Sequence, residues 1–417
     1  MRIAALDLGS NSFHLLVADV HVDGTFTAVA REKEMLRLGD DIARHGRIPP
    51  ATADRAVAAV RRLKQFADGL GVREIIAKAT AAMRTAANGS ELVDRIETET
   101  GVEIEVINGL EEARLVFAAV RASVVLEPAP ALCFDVGGGS VEIMVGDASG
   151  LRWATSVPLG VGRLTGECVE DDPPSKADRK RLQGRIDSVL APVVPEVRRR
   201  TPKMAIGSSG TLNDLVRMAV ALDRGDDEFP SSTNALHATR EQIEALHDRI
   251  MHSKHAERRR MPGLDEPRRA ELLPAGSTLL CTLLDTFEMD GLTASDWALR
   301  EGIVLDAVRS HDPDDFSDEP RALRRAAVMN LAQRCNSDEV HTTHVAHLAL
   351  ELFDQTGALH GLAESDREML EFAASAGTPE LQFCVVRCGK SQHDEVCTHI
   401  CLQILNSAAT PAIEAVG

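Results

Sequence analysis

The sequence predicts an α/β chain of two similar domains followed by a helical C-terminal region, and three observations carry that reading. ALDLGSNSFHLLVAD (5–19) and CFDVGGGSVEIMVGD (133–147) align without a gap, each an apolar strand ending in Asp, a Gly/Ser turn and a second apolar strand ending in Asp. Strand-like and helix-like stretches alternate through the first half, the pattern of an α/β architecture. The chain then changes character: helical periodicity dominates from about residue 174, and 306–322 (DAVRSHDPDDFSDEPRA) is rich in Asp and Pro. The two Asp-x-Gly turns lie about one domain's length apart, and 417 residues are too many for one ordinary core. The expected division is a domain over 1–124, a second over 125–305, a linker over 306–322 and a helical region over 323–417, atypical after 374.

In chain order, IAALDL and SFHLLVADV read as strands around Gly9-Ser10-Asn11, with a turn at Asp23-Gly24. The 3.6-residue apolar period over 51–71 predicts a helix, with Thr52 as N-cap and Gly71 past its end. REIIAKATAAMR (73–84) is a strand running into a loop, SELVDRIETETG (90–101) a helix capped by Ser90, and 102–123 a strand, turn and helix. MAIGSSGTLNDLVRM (204–218) repeats the strand-loop-helix pattern. The C-terminal stretch begins as convincing helix, then loses its period from Ala374 onward.

Composition narrows the function. Apolar residues make up 44% and charged residues 26%, ordinary for a globular protein; aromatics are 3% with no Tyr, so packing rests on Ala, Val, Leu and Ile. The formal charge of −18 argues against a nucleic-acid partner. It leaves room for a polyanion held by a few local cations and backbone N–H groups. The short apolar run Ile3–Leu6 stops at Asp7, and no run reaches transmembrane length, so no membrane association and a cytoplasmic location are expected. Of eight Cys, Cys133, Cys168, Cys281 and Cys335 are scattered and read as reduced small apolar residues. Cys384, Cys388, Cys397 and Cys401 cluster near His393 and His399, but their three-residue spacing is poor for zinc.

The two Gly/Ser turns carry the strongest chemistry. Gly9, Ser10, Asn11 and Ser12, and Gly137, Gly138, Gly139 and Ser140, let backbone N–H groups converge on a phosphate with no Cβ in the way. Asp7 and Asp135 at the strand ends, and Glu142 beyond the second turn, can take Mg²⁺, which would offset phosphate charge. Ser208, Ser209 and Gly210 form a third such loop at a helix start, equally readable as an ordinary capped turn. Glu111-Glu112 at another helix start reads either as a pair of acids facing the helix dipole or as a general base for an attacking water. Arg84 sits where a phosphate clamp would help; Lys33, Arg37 and Arg258–Arg260 are further cations for a polyanion. His341, His344 and His347 recur along one helix, as a metal site or an exposed face.

These stretches in this order — DLGSNSFHLLVA, REKEMLRLGD, ATAAMRTAAN, INGLEEARLVFAAV, FDVGGGSVEIMVG, VPLGVGRLT, IGSSGTLNDL, LLPAGSTLL and DWALREGIVLD — resemble the exopolyphosphatase / guanosine pentaphosphate phosphatase family of the actin and sugar-kinase superfamily, over residues 1–305. The resemblance implies two ribonuclease-H-like (actin-like ATPase) domains flanking a cleft and an α-helical C-terminal domain. It implies Glu112 as catalytic glutamate, phosphate loops at Gly9–Ser12 and Gly137–Ser140, metal-linked acids at Asp135 and Glu142, Mg²⁺ or Mn²⁺ as cofactor, and a homodimer. The implied substrate is inorganic polyphosphate, with guanosine pentaphosphate as the near alternative and a small-molecule kinase as the distant one. Longer relatives carry a His-Asp pair after a stretch like LEFAA; here Ser375 to Pro379 follow instead, which reads as a reading-frame change or a diverged tail.

Overall fold

The structure is a computed structural model that describes residues 1–21, 25–224, 232–311, 320–334 and 339–376. The described residues fall into two compact units, one ending at Pro320 and the other starting at Arg321. In the first unit, strands β1 (Arg2–Leu8), β2 (Ser12–Val20), β3 (Phe26–Met35), β4 (Glu74–Ala79) and β5 (Ile104–Val106) form one sheet in the order β3-β2-β1-β4-β5. Strands β6 (Ala131–Val136), β7 (Val141–Asp147), β8 (Gly150–Val157), β9 (Met204–Ser208), β10 (His237–Thr239) and β11 (Gly291–Ser295) form the other, in the order β10-β11-β9-β6-β7-β8. Leaving out edge strand β10, the two sheets match strand for strand, with an antiparallel meander first and parallel strands after it. The duplicated two-domain fold expected from the aligned hairpins is therefore present.

The central strands are apolar on both faces because both faces are covered. Ala4, Leu6 and Leu8 of β1 enter a core with helices Pro50–Gly69 and Gly89–Thr100. Leu132, Phe134 and Val136 of β6 enter the corresponding core of the second lobe. The alternate residues Ile3, Ala5, Ala131 and Cys133 meet in a third core that both sheets share. Two helices fill it, and each crosses over. Gly109–Ser123, from the end of the first half, packs on β7 and β8, while Leu299–His311, from the end of the second, packs on β1 and β2. They touch where Gly302 faces the backbone carbonyl of Leu115, so closely that any Cβ there would collide with it. Leu115 and Ile303 are fully buried at this crossing, and each such side chain contributes about 1.5–3 kcal/mol.

Several boundaries differ from the sequence-based expectation. The helix over 50–69 starts at Pro50, whose missing N–H costs nothing there, and Thr52 instead donates to Asp41 Oδ2 at 2.7 Å. The helix over 89–100 has Asn88 at its cap position in place of Ser90, and the Asn88 side chain is spent on the Ile48 backbone. Regular helix continues to His311, inside the stretch read as a linker, and resumes at Pro320. Cys133 and Cys168 are buried free thiols; Cys335 and the C-terminal cysteines with His393 and His399 lie outside the described residues.

The second unit contains helices Pro320–Arg334, Glu339–Gln355, Gly357–His360 and Glu364–Ala376. His341, His344 and His347 lie on an exposed helix face, with His347 3.6 Å from Glu351. No helix among the described residues is long and apolar enough to cross a membrane.

Candidate active site

The aligned hairpins meet in the first unit. Asp7 pairs in register with His14 across β1 and β2, and Asp135 with Glu142 across β6 and β7. The turns between these strands are held by their carbonyls. Ser10 O accepts from Gly39 N at 2.8 Å, and Asn11 O accepts from Leu36 N and Arg37 N at 3.0 and 2.8 Å. In the second turn Gly137 O and Gly138 O accept from Val161 N and Arg163 N, both at 3.0 Å. N–H and C=O point opposite ways across a trans peptide, so the N–H groups of Asn11, Ser12, Gly138 and Gly139 face away from these anchors. The turns also abut: a Cβ on Gly138 would lie 3.2 Å from Asn11 Cβ, and one on Gly139 2.9 Å from Ser10 Oγ. Glycine permits that approach of two backbones.

Asn108 starts the helix Gly109–Ser123 by accepting from Leu110 N and Glu111 N at 2.9 and 3.0 Å. The two acids that follow part company. Glu111 turns outward to Arg114, which also reaches Asp306 at 2.7 Å, and the guanidinium holds its carboxyl below the ordinary range. Glu112 turns inward, 7% exposed, and accepts from Arg84 Nη1 at 2.9 Å. Burial raises its carboxyl to about 7, against the pull of Arg84. Arg84 Nη1 also donates to Ile107 O at 2.7 Å, so the expected phosphate clamp is in this structure a brace for Glu112.

Glu142 is 1% exposed and accepts from Ser156 Oγ at 2.7 Å; burial, with Glu112 and Asp135 nearby, pushes its carboxyl well above the usual range. Asp135 accepts from Ser208 Oγ at 2.9 Å, which brings the third loop to the same place; burial raises it to about 6. Asp7 is raised to about 7 by burial, with Glu112, Asp135 and Glu301 adding to the effect and Arg300 opposing it. The four carboxylates thus repel one another across the meeting point of the two lobes. Among the described residues no three His, Cys, Asp or Glu side chains converge closely enough to share an ion directly, so Asp7, Asp135 and Glu142 are neighbours without forming a closed ligand set.

Three residues outside the sequence expectations belong here. Arg300, at the start of the helix Leu299–His311, acts electrostatically on Asp7, Asp135 and His14. Arg269 grips the third loop through Gly210 O at 2.9 Å and Asp214 Oδ2 at 2.7 Å. His14 Nε2 lies 2.7 Å from Ser12 Oγ, and burial with Arg300, Lys33 and Arg269 keeps the ring neutral. The ungapped alignment held the signal for His14, which stands where the second hairpin has Glu142. Arg258 goes elsewhere: it is 3% exposed and bonds Ala270 O at 2.9 Å and Asp172 at 2.6 Å, so it is structural and lines no groove.

Comparison with known proteins agrees with this geometry. The sequence profile of the Ppx/GppA phosphatase family matches residues 16–311. Exopolyphosphatase 1 of Mycobacterium tuberculosis is 33% identical over 306 residues, covering 73% of this chain and 88% of that protein. The guanosine-5'-triphosphate,3'-diphosphate pyrophosphatase of Vibrio vulnificus is 27% identical over 367 residues, covering 88% of this chain and 70% of that protein. An exopolyphosphatase from Cytophaga hutchinsonii has a solved structure with a TM-score of 0.69 at 29% identity, covering 74% of this chain and 98% of that one. The Aquifex aeolicus Ppx/GppA member gives 0.62 at 28% identity, covering 75% and 99%. The chain is a phosphatase, a hydrolase of two α/β lobes and a helical C-terminal region, and it belongs to the Ppx/GppA phosphatase family.

Proposed function

We propose that the protein is an exopolyphosphatase that hydrolyses the terminal phosphate of inorganic polyphosphate, with Glu112 as general base. The observation that carries this reading is the state of Glu112: buried, braced by Arg84, raised to about 7, and placed beside two glycine turns. A base poised near the working pH is what proton removal from water requires. Glu112 takes a proton as the water oxygen bonds the terminal phosphorus, and the bond to the bridging oxygen breaks in line, its electron pair leaving with the shortened chain. The N–H groups of the two turns and the hydroxyls of Ser10 and Ser209 hold the phosphate oxygens, while Ser12 and Ser140 are engaged by His14 and Glu142. Arg84 keeps the base oriented, and Arg300, which acts on Asp7 and Asp135, is available to offset charge as it develops.

The donor set fits Mg²⁺. Four clustered carboxylates, all raised by burial and mutual repulsion, want a cation, and Mg²⁺ binds through one or two carboxylates, water and substrate phosphate without a closed protein cage. Asp7, Asp135 and Glu142 would hold it, and when bound it would supply charge neutralisation for the phosphate. A cytoplasmic homodimer, as the resemblance implies, goes with this reading.

Guanosine pentaphosphate is the second substrate to test, since one relative is named for guanosine nucleotide hydrolysis. Phosphate release from polyphosphate of defined length and from guanosine pentaphosphate, with and without Mg²⁺, decides between them. Glu112→Gln should lower the rate by about 10²- to 10⁴-fold. An unchanged rate in that variant removes Glu112 as the base.

A further inference from the structure

Lys33 and Arg37 are cations that the site described above leaves unused, and both are rooted beside the first turn. Lys33 lies on β3 in register with His14, which is in register with Asp7, so the three share one face of the sheet. Two strand spacings, about 10 Å, separate Lys33 from Asp7. Arg37 follows the end of β3 in the left-handed region, φ 60°, where non-glycine residues are uncommon. What holds it there is its own N–H, donated to Asn11 O at 2.8 Å.

Both side chains cross to the other lobe. Lys33 Nζ is 3.6 Å from Glu266 Oε2, and the Arg37 guanidinium pairs with Glu271. Glu266 and Glu271 flank Arg269, which itself grips the third loop. These are partly solvated pairs, with side chains 26% and 29% exposed in the first and 44% and 39% in the second. Such pairs add little to stability and exchange readily. Burial and the neighbouring Arg269 lower the Lys33 ammonium while Glu266 opposes them, so an anion at this position favours its charged form. A polyphosphate would supply one, with several charges along a short length, and a guanidinium suits phosphate oxygens as well as it suits carboxylate.

We infer that Lys33 and Arg37 bind the inner phosphates of a linear polyphosphate, and that Glu266 and Glu271 occupy them until the chain displaces those carboxylates. The site then selects for length: a short oligophosphate fills the turns without reaching the pairs, whereas a long chain exchanges both. This rests on the polyphosphate reading proposed above.

The test uses the full chain carrying Glu112→Gln, so that binding is measured without turnover, with long-chain polyphosphate and tripolyphosphate at low salt. Adding Glu266→Gln and Glu271→Gln together should tighten long-chain binding about fivefold and leave tripolyphosphate unchanged. Adding Lys33→Met and Arg37→Met instead should weaken long-chain binding about tenfold or more and flatten its salt dependence. Lys33→Arg with Arg37→Lys should restore most of that loss. If neither double variant shifts long-chain binding, or tripolyphosphate shifts equally, the inference is overturned while the proposed function stands. A parent protein that binds no polyphosphate overturns both.

Discussion

The hairpins β1–β2 and β6–β7 share a backbone and differ in the residue opposite their aspartate. In each, the serine ending the turn bonds the side chain two residues on: Ser12 to His14 and Ser140 to Glu142. The first partner is a half-buried neutral imidazole, surrounded by Arg300, Lys33 and Arg269. The second is a buried carboxyl, repelled by Glu112 and Asp135 and bonded also by Ser156. Duplication kept the hydrogen bond and changed the charge. Buried charge is costly unless matched, so two acidic hairpins facing one another would add repulsion to a cluster already short of cations. The asymmetry leaves two carboxyls, Asp135 and Glu142, on the second hairpin and one, Asp7, beside a neutral ring on the first.

Making the halves alike should break the site. Glu142→His gives the second hairpin the first one's residue and removes a carboxylate from the cluster. Steady-state phosphate release should fall by about 10²-fold or more. The reverse change, His14→Glu, places a further carboxylate beside Asp7. Denaturant unfolding at pH 8 to 9 should show about 3 kcal/mol less stability.

The carboxylate cluster also fixes two opposite pH trends. Glu112 must be ionised to accept a proton, so kcat/KM should rise with pH and level off above about 7. Stability runs the other way. Asp7 at about 7, Asp135 at about 6 and Glu112 at about 7 all hold their protons more tightly folded than unfolded. Their contribution is complete below the unfolded carboxyl range, near pH 4, and is lost as pH rises through 6 to 7. Without divalent cation the melting temperature should drop between pH 5 and pH 8, and added Mg²⁺ should recover most of the drop. A flat melting curve across that range would show that the carboxylates are better solvated than their burial indicates.

Much of the fold and of the site is legible in the amino-acid sequence, because the signals are local. The apolar strands and Gly/Ser turns of the two hairpins are fixed by side-chain period and turn chemistry, so their alignment locates Asp7, Asp135 and Glu142 together. Other features depend on contacts distant in the chain. Nothing near Ser156 marks it as the partner of Glu142; only the β7–β8 register does. Arg300 sits in a stretch recognisable as a motif, yet its place beside Asp7 needs the helix Leu299–His311 to cross to the first sheet. Arg84 reads as a clamp from its position after a strand, and only the neighbouring helix start turns it toward Glu112. The anchoring of the turns is itself duplicated, by the N–H groups of Leu36, Arg37 and Gly39 in one half and of Val161 and Arg163 in the other. Unequal spacing from the glycine turns hides that repeat in the sequence.

The smallest expected effects compare the two serines directly. Ser140→Ala removes a donor from a buried carboxyl, a bond worth about 1.5–3 kcal/mol, so activity should fall roughly 10- to 100-fold. With one donor fewer, the Glu142 carboxyl should rise further, and because it would have to ionise to hold Mg²⁺, the acid limb of the profile at limiting Mg²⁺ should move upward. Ser12→Ala removes a bond to a neutral ring, worth about 1 kcal/mol, so the loss should be near fivefold with the pH profile unmoved. The discriminating quantity is the shift of the profile, because a merely structural serine would lower the rate without moving it. If Ser12→Ala shifted the profile as far as Ser140→Ala, His14 would be carrying charge, and the contrast between a neutral and an acidic partner would not hold.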